Sequence, residues 1–164
     1  MAVTIRDIAR ATGYSIGTAH HSILERYRGF LKALFEARML ADPALEAGLP
    51  SIGNSTDNVR QAVDALLARA PRPDALFCYN DSTALIAMRH CLERSLNIPH
   101  DIAIVGFDDI SAAASAIPPL SSVQIDKDLL GRMGVDCLLE KPASASLEQT
   151  PTVQLVVRES SDDD

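Results

Sequence analysis

Two short apolar runs, at residues 75–79 and 102–107, constrain the fold of this chain more than any other feature of its sequence. Turn-forming residues bound each run, as is typical of strands buried in a parallel sheet. Segments with the apolar spacing of helices lie between them, and two more strands are predicted at residues 122–125 and 153–157, around a helix at 128–139. Strands that alternate with helices predict an α/β fold, with a mainly parallel sheet flanked by helices.

The first 24 residues have the pattern of a partial helix-turn-helix unit. Thr4 and Asp7 have the spacing of a capping box at a helix start. Gly13 can adopt the positive φ that ends a helix, and Ser15 can cap a second helix. Apolar residues recur at helical spacing in both segments: Ile5, Ile8 and Ala9, then Ile16, Ala19 and Ile23. The pattern predicts a DNA-binding head at residues 1–24, in which the second helix enters the major groove.

Each of the two apolar runs ends in a pair of hydrophilic residues, Asn80 with Asp81 and Asp108 with Asp109. Parallel strands end at one edge of their sheet, where α/β proteins bind ligands, so both pairs are expected there. An Asn side chain donates and accepts hydrogen bonds, and an Asp carboxylate can accept two hydroxyls, which suits the vicinal diol of a sugar or a ribose. A second interpretation stays open, in which the first pair caps the following helix and the second forms a turn.

Composition argues against several classes of protein. A net charge of −7, with 4% aromatic residues and no Trp, is unfavourable for non-specific binding of nucleic acid by the whole chain. Cys78, Cys91 and Cys137 lack the paired spacing of a zinc site or a disulfide framework, which predicts reduced thiols in a cytoplasmic protein. The sequence shows no signal peptide and no segment apolar enough to span a membrane.

No cofactor, metal site or enzymatic activity is expected. His20 and His21 are neighbours on a predicted helix and point in different directions, so they do not form a metal-binding pair. Adjacent Asp108 and Asp109 project apart and cannot flank one glycosidic bond. The serines lack the context of a nucleophile elbow, and no glycine-rich loop is present to hold a phosphate.

Four segments together resemble the lactose-repressor (LacI/GalR) family of bacterial transcription regulators: residues 4–18, Tyr-Asn-Asp at 79–81, Ile-Val-Gly-Phe-Asp-Asp at 104–109 and Ile-Pro-Pro-Leu at 117–120. The resemblance implies that residues 25–159 form the C-terminal lobe of a periplasmic-binding-protein-like effector domain, behind a short helix-turn-helix remnant at residues 1–24. The family's third head helix, hinge and first lobe have no counterpart here, which predicts an internal truncation. The polar residues 160–164 are predicted to form a disordered acidic tail.

The resemblance also implies partners and contact residues. The partners are operator DNA, a small sugar-like or nucleoside-like effector, and a second subunit in a homodimer or in a heterodimer with a full-length relative. The DNA contacts fall on Ile16, Gly17, Thr18 and His21, and the effector contacts fall on Arg26, Asn80 and Asp108. Asp81 and Asp109 are weaker candidates for effector contacts, with a cap or a turn as the alternative role.

Three functions stay open. The first is a transcriptional regulator impaired by the truncation, because a two-helix head has little core of its own. The second is a ligand-binding or dimerisation module that acts through an intact relative without binding DNA, and the third is a remnant without function. The helix that contains Ala84, Leu85 and Met88 is a candidate dimer face, although the same apolar stripe also fits a helix packed in the core.

Overall fold

The computed structural model describes residues 12–14, 21–48, 55–139 and 152–162, with the backbone alone at residues 12–14, 21 and 22. Five strands alternate with helices along these segments. In chain order the elements are β1 (Thr12–Tyr14), α1 (His21–Glu36), a 3-10 helix (Pro43–Leu45), α2 (Thr56–Leu67), β2 (Ala75–Phe77), α3 (Asp81–Glu93), β3 (Ala103–Asp108), α4 (Ser111–Ala114), β4 (Ser121–Ile125), α5 (Lys127–Leu138) and β5 (Val153–Val156).

The strands form one sheet in the order β1-β2-β3-β4-β5. The first three pairings are parallel and the last, between β4 and β5, is antiparallel. The predicted α/β fold with a mainly parallel sheet is therefore confirmed. The register places Phe77 opposite Val105 and Phe107 opposite Val123, so β2 and β3 deliver the residues that follow them to one edge of the sheet.

Side-chain caps fix where three of the helices begin. Ser55 Oγ accepts a hydrogen bond from the Asn58 backbone N–H at the start of α2. Asn80 plays the same part for α3, and Asp126 caps α5 by accepting from the Leu129 N–H. Each cap satisfies an N–H that has no partner within its own helix, typically worth about 1 kcal/mol.

The core lies on one face of the sheet, where α2 and α3 pack. Along β2 and β3 the side chains alternate, and Leu76 and Ile104 are buried on this face. The helices complete the core with Val59, Val63, Leu66, Ala84, Ala87, Met88 and Cys91. Ala84 and Met88 are thus interior residues, because α3 follows β2 directly and packs back on the sheet. The prediction of a dimer face at these two positions is wrong, and the alternative of a core helix holds.

At the N-terminus the structure departs from the predicted helix-turn-helix pattern. Thr12–Tyr14 is a strand paired in parallel with β2, whereas Gly13 was predicted to end a helix. Thr and Tyr favour extended backbone, and the outer edge of β2 offers unpaired N–H and C=O groups, which explains the strand. Helix α1 also passes the predicted boundary between residues 24 and 25 without a break. The predicted DNA contacts Ile16, Gly17 and Thr18 lie outside the described residues, as does the side chain of His21.

The C-terminal residues also differ from their prediction as a disordered tail at 160–164. Ser160 and Ser161 are buried, with 0% and 2% of their surface exposed. Ser160 Oγ donates to the Ile104 carbonyl at 2.6 Å and accepts from the Ser121 N–H at 2.8 Å. The prediction is wrong for these two serines, because small hydroxyl side chains can be buried when hydrogen-bond partners are supplied. Residues 163 and 164 lie outside the described part of the chain.

Candidate functional site

An ion pair joins two of the three predicted effector contacts at the carboxyl edge of the sheet. Arg26 Nη2 lies 3.0 Å from Asp108 Oδ1, and Arg26 Nη1 donates to the Tyr79 carbonyl at 2.7 Å. Arg26 comes from α1, Tyr79 follows β2 and Asp108 ends β3. The structure therefore brings together side chains that are 82 residues apart in sequence. Both remain partly exposed, so the pair can exchange some of its contacts with a bound molecule.

Aromatic rings form the floor beneath this ion pair. The Arg26 guanidinium carbon lies 4.0 Å from the centroid of the Phe107 ring, and this cation–π contact holds the guanidinium over the ring. The Phe30 and Phe77 rings stack with centroids 6.1 Å apart. These phenylalanines were not predicted as site residues from the sequence. The two-residue period of a strand could have indicated them, because Phe77 and Phe107 fall on odd positions, out of step with the core residues Leu76 and Ile104, and both rings contact α1.

A groove of about 460 Å³ runs along this second face of the sheet, next to Arg26. Its volume is within the usual range for small-molecule sites. Its lining is almost entirely apolar and consists of Glu25, Arg26, Gly29, Phe30, Ala33, Phe77, Val105, Phe107, Val123, Val153 and Leu155. An apolar groove bordered by Arg26, which is itself paired with Asp108, can pack the carbon face of a ligand and hydrogen-bond its polar groups.

Asn80, the third predicted effector contact, is the N-cap of α3. Its Oδ1 accepts a hydrogen bond from the Thr83 N–H at 2.9 Å. The capping interpretation left open by the sequence is therefore confirmed. The cap uses the oxygen of the amide, so a contact from Asn80 to a ligand would have to come from Nδ2 as a donor. Asn80 is half-buried and directly follows Tyr79, whose carbonyl accepts from Arg26.

Asp81 is a buried anchor for the loop after β3, with 1% of its surface exposed. Its Oδ2 accepts from the Ile110 N–H at 2.8 Å, and its Oδ1 accepts from Ser122 Oγ at 2.5 Å. Burial raises the pKa of this carboxyl above its ordinary value, the two hydrogen bonds lower it, and the nearby carboxylates of Asp108 and Asp109 raise it. The alternative of a structural role for Asp81, rather than ligand contact, is consistent with this geometry.

Two consecutive residues of the turn after β3 have left-handed backbone. Asp108 has φ 101° and Asp109 has φ 45°. Such a conformation costs a non-glycine residue about 1–3 kcal/mol and is concentrated at functional sites. Bonds to β4 offset the cost: the Asp109 N–H donates to Ser122 Oγ at 3.0 Å, and Asp109 Oδ2 accepts from Gln124 Nε2 at 2.9 Å. The carboxylate of Asp109 is thereby occupied, while Asp108 pairs with Arg26.

Within the described ranges, no cluster of three or more His, Cys, Asp or Glu side chains could hold a metal ion. Of the two adjacent histidines considered in the sequence, His20 lies outside those ranges and His21 is described by its backbone alone.

Comparison with known proteins identifies a domain family and several similar repressors. The sequence profile of the periplasmic binding protein-like domain matches residues 5–161. The HTH-type transcriptional repressor PurR of Haemophilus influenzae (strain PittEE) is 37% identical over 118 residues, which are 71% of this chain and 34% of that protein. PurR of Vibrio cholerae serotype O1 (strain M66-2) is 32% identical over 137 residues, 82% of this chain and 38% of that protein. The chain thus spans little more than a third of the length of these relatives.

Several solved structures of similar fold are transcriptional regulators. The transcriptional regulator CelR in complex with cellobiose superposes with a TM-score of 0.78 at 29% identity, covering 95% of this chain and 50% of that one. A sugar-binding LacI-family regulator from Escherichia coli, complexed with phosphate, gives 0.81 at 25% identity, covering 95% and 59%. A LacI-family regulator from Lactobacillus casei with bound glucose gives 0.74 at 27% identity, covering 92% and 56%. The chain belongs to the periplasmic binding protein-like domain family and is a homologue of LacI-family transcriptional regulators, as the sequence resemblance predicted.

Proposed function

We propose that this chain is an effector-binding lobe of a LacI-type transcriptional regulator, and that it binds a small sugar-like or nucleoside-like molecule at the carboxyl edge of its sheet. The observation that carries the proposal is the Arg26–Asp108 ion pair, seated on the Phe107 ring at the end of an apolar groove. A carboxylate accepts from two hydroxyls of a diol, the guanidinium donates to ring oxygens, and an aromatic floor packs against the carbon face of a sugar or a base.

The relatives support this class of ligand. Complexes with cellobiose, glucose and sucrose are known for regulators whose structures superpose on more than nine-tenths of this chain. All the relatives described above are named as transcription regulators, which favours a binding function over catalysis by these carboxylates.

Affinity is expected to be low for the chain alone. The groove is built on one side only, by α1 and the sheet, and is open to solvent. Polar contacts that stay wet contribute little net free energy, because water competes for each hydrogen bond. We therefore expect dissociation constants on the order of a millimolar, equivalent to about 4 kcal/mol of binding free energy.

Ligand titration tests the proposal with two matched variants. Cellobiose, glucose, sucrose and adenosine serve as probes, and their binding is measured by saturation-transfer NMR and calorimetry. Asp108→Asn keeps the size of the side chain and suits left-handed backbone, but removes the charge that faces Arg26. Asp57→Asn makes the same change at an exposed position in the first turn of α2.

We expect at least one probe to bind the wild type and the Asp57→Asn control equally. Loss of one hydrogen bond for which water competes, about 0.5–1.5 kcal/mol, should weaken binding to Asp108→Asn by roughly two- to tenfold. If a folded wild type binds none of the probes, or if Asp108→Asn binds as well as the control, the proposed site is wrong.

Operator recognition is the second part of the proposal. The contacts predicted for it are Ile16, Gly17, Thr18 and His21. The relatives named as HTH-type repressors support a role in DNA binding, without reference to particular residues. Fluorescence anisotropy with a duplex from the upstream region of the gene, against a scrambled duplex at two salt concentrations, tests it. Preference for the native duplex that weakens steeply with salt is expected of an operator-binding head. Equal binding to both duplexes would contradict DNA recognition by this chain.

A second candidate function, a dimerisation module that pairs with an intact relative, is favoured by one observation on α5. No residue of this helix is buried, and Leu130, Val135 and Leu138 expose 45%, 53% and 83% of their surfaces. Apolar surface of this kind marks interaction sites. Co-purification with a full-length relative, lost on Leu138→Asn, is the expected result; elution as a lone chain would exclude this function.

Among the described helices, none has the length and apolar character required to cross a membrane.

A further inference from the structure

The C-terminal residues 158–161 are bonded to the sheet next to the proposed effector site. Ser121 Oγ donates to the Arg158 carbonyl at 2.9 Å and accepts from the Arg158 N–H at 2.7 Å. The Ile104 N–H donates to the Ser160 carbonyl at 2.8 Å, and Ser161 Oγ donates to Ser121 Oγ at 2.7 Å. These bonds tie the segment to β3 and to β4, so the backbone of Arg158 has a fixed place beside both strands.

The side chain of Arg158 is held at two points. Its Nη1 donates to the Leu120 carbonyl at 2.6 Å, and its Nη2 lies 2.8 Å from Asp109 Oδ1. The Arg158 and Asp109 side chains are only 19% and 9% exposed. A rigid planar guanidinium anchored on a backbone carbonyl presents its second N–H groups in a set direction. The position of the Asp109 carboxylate is therefore set by the C-terminal segment.

The turn that carries the effector-site carboxylate is strained where this contact is made. Asp108 and Asp109 both have positive φ, a conformation that neither residue adopts freely. Asp109 also accepts from Gln124 through Oδ2, but the Gln124 side chain is exposed. Arg158 is the charged partner of Asp109, and hydrogen bonds to Ser121 hold its backbone in place.

We propose that Arg158 is a positioning residue of the effector site: by holding the Asp109 carboxylate it maintains the left-handed turn that directs Asp108 towards Arg26. Arg158 acts through Asp109 and does not touch the ligand. The consequence for ligand affinity rests on the proposed function. The geometry itself, an Arg26–Asp108 ion pair that depends on the turn, exists without any ligand and can be tested without one.

Two substitutions at Asp109 separate positioning from simple stabilisation. Asp109→Ala and Asp109→Gly both remove the carboxylate that Arg158 holds. Alanine must still adopt φ near 45° without that support, whereas glycine adopts it at no steric cost. If Arg158 acts by maintaining the turn, glycine restores the turn and alanine does not. If the Arg158–Asp109 pair only adds stability, other bonds such as that of the Asp109 N–H to Ser122 hold the turn. Both variants then keep the turn and the Arg26 contacts, although the alanine variant is less stable.

The readout is the guanidinium group of Arg26, observed by NMR on protein with nitrogen-15 in its arginines. A guanidinium restrained by the Tyr79 carbonyl and the Asp108 carboxylate gives separate, slowly exchanging Nη signals, assigned with an Arg26→Lys variant. Backbone amide spectra confirm that each variant is folded. Arg158→Leu is a supporting variant, but it also frees the Leu120 carbonyl, so the Asp109 pair carries the test.

We expect restrained Arg26 signals in the wild type and in Asp109→Gly, and averaged signals in Asp109→Ala. For a probe that binds the wild type, the dissociation constant should be about tenfold higher for Asp109→Ala than for Asp109→Gly. This ratio corresponds to the free energy by which glycine is favoured over alanine in left-handed backbone. Equal Arg26 signals in the two variants would overturn the positioning role. Failure of every probe to bind the wild type would contradict the proposed function alone and would leave the NMR comparison intact.

Discussion

Gly106→Ala should destabilise this protein far more than a single added methyl group suggests. Gly106 lies in β3, and a Cβ at this position would overlap Asp81 Oδ1 and lie 3.2 Å from the Asp81 Cα and Cγ. The carboxylate cannot withdraw without breaking its bonds from the Ile110 N–H and from Ser122 Oγ. The buried site thus leaves no room for both groups.

The expected loss follows from these contacts. Hydrogen bonds to a charged group are worth about 1.5–3 kcal/mol each, and a strained core position costs about 1–3 kcal/mol. Alanine regains about 0.5–1 kcal/mol, because it loses less conformational freedom on folding than glycine. With both hydrogen bonds broken, a net loss of about 3–8 kcal/mol is expected for Gly106→Ala, which is a large part of the 5–15 kcal/mol that typically separates folded from unfolded protein.

Urea unfolding followed by circular dichroism measures this loss. The control is Gly131→Ala on α5, where a Cβ meets nothing within 4 Å and a gain of about 0.5–1 kcal/mol is expected from helix propensity. In an Asp81→Ala background the cost of Gly106→Ala should fall by more than half, since the carboxylate that the methyl group displaces is gone. A free energy of unfolding for Gly106→Ala within 1 kcal/mol of the wild type, at an unchanged m-value, would refute this reasoning.

Two further predictions concern titratable groups. Burial raises the pKa of Asp64, but its hydrogen bond and charge interactions with His90 and Arg94 outweigh burial and hold that pKa below its ordinary value. Above the ordinary Asp pKa of about 4, ionised Asp64 therefore stabilises the folded protein, and this contribution is lost as the pH falls below that value. The stability of Asp64→Asn should therefore fall less steeply with acid than that of the wild type. An equally steep loss of stability in both proteins would contradict the pairing. Burial raises the pKa of two interior thiols, to about 12 for Cys78 and about 11 for Cys91, whereas Cys137 is exposed. One thiol per chain should react rapidly with Ellman's reagent at pH 7, and none in Cys137→Ser; rapid reaction of that variant would show that the core opens.

The sheet was predictable because its interior strands are nearly continuous apolar runs. The run at residues 102–107 became β3, and the hydrophilic residues after it lie at the edge where the topology of a parallel sheet requires them. The N-terminal strand was not predictable in the same way. Thr12–Tyr14 is three residues long, and a glycine between two polar residues signals a turn as readily as a strand. Its pairing with β2 is a tertiary contact that local sequence does not contain.

The site was predictable only in part. Asp108 follows from its place after a predicted strand, and family resemblance implied Arg26 as a second effector contact. Their ion pair was not predicted, since spacing does not reveal contacts between residues 82 positions apart. The role of Ser160 could not be predicted either. Its burial depends on donors and acceptors in β3 and β4, whereas composition alone marks the C-terminus as polar and exposed.

The most direct test of the account is a titration of nitrogen-15-labelled protein with cellobiose, glucose and adenosine, observed by two-dimensional NMR. We expect shift changes that saturate and are concentrated at the Arg26 guanidinium and at the backbone amides of Tyr79, Asn80 and Asp108. Amides of α2, on the opposite face of the sheet, should not shift. Saturating changes located elsewhere, or spectra unchanged at high probe concentration, would contradict a ligand site at the carboxyl edge of this sheet.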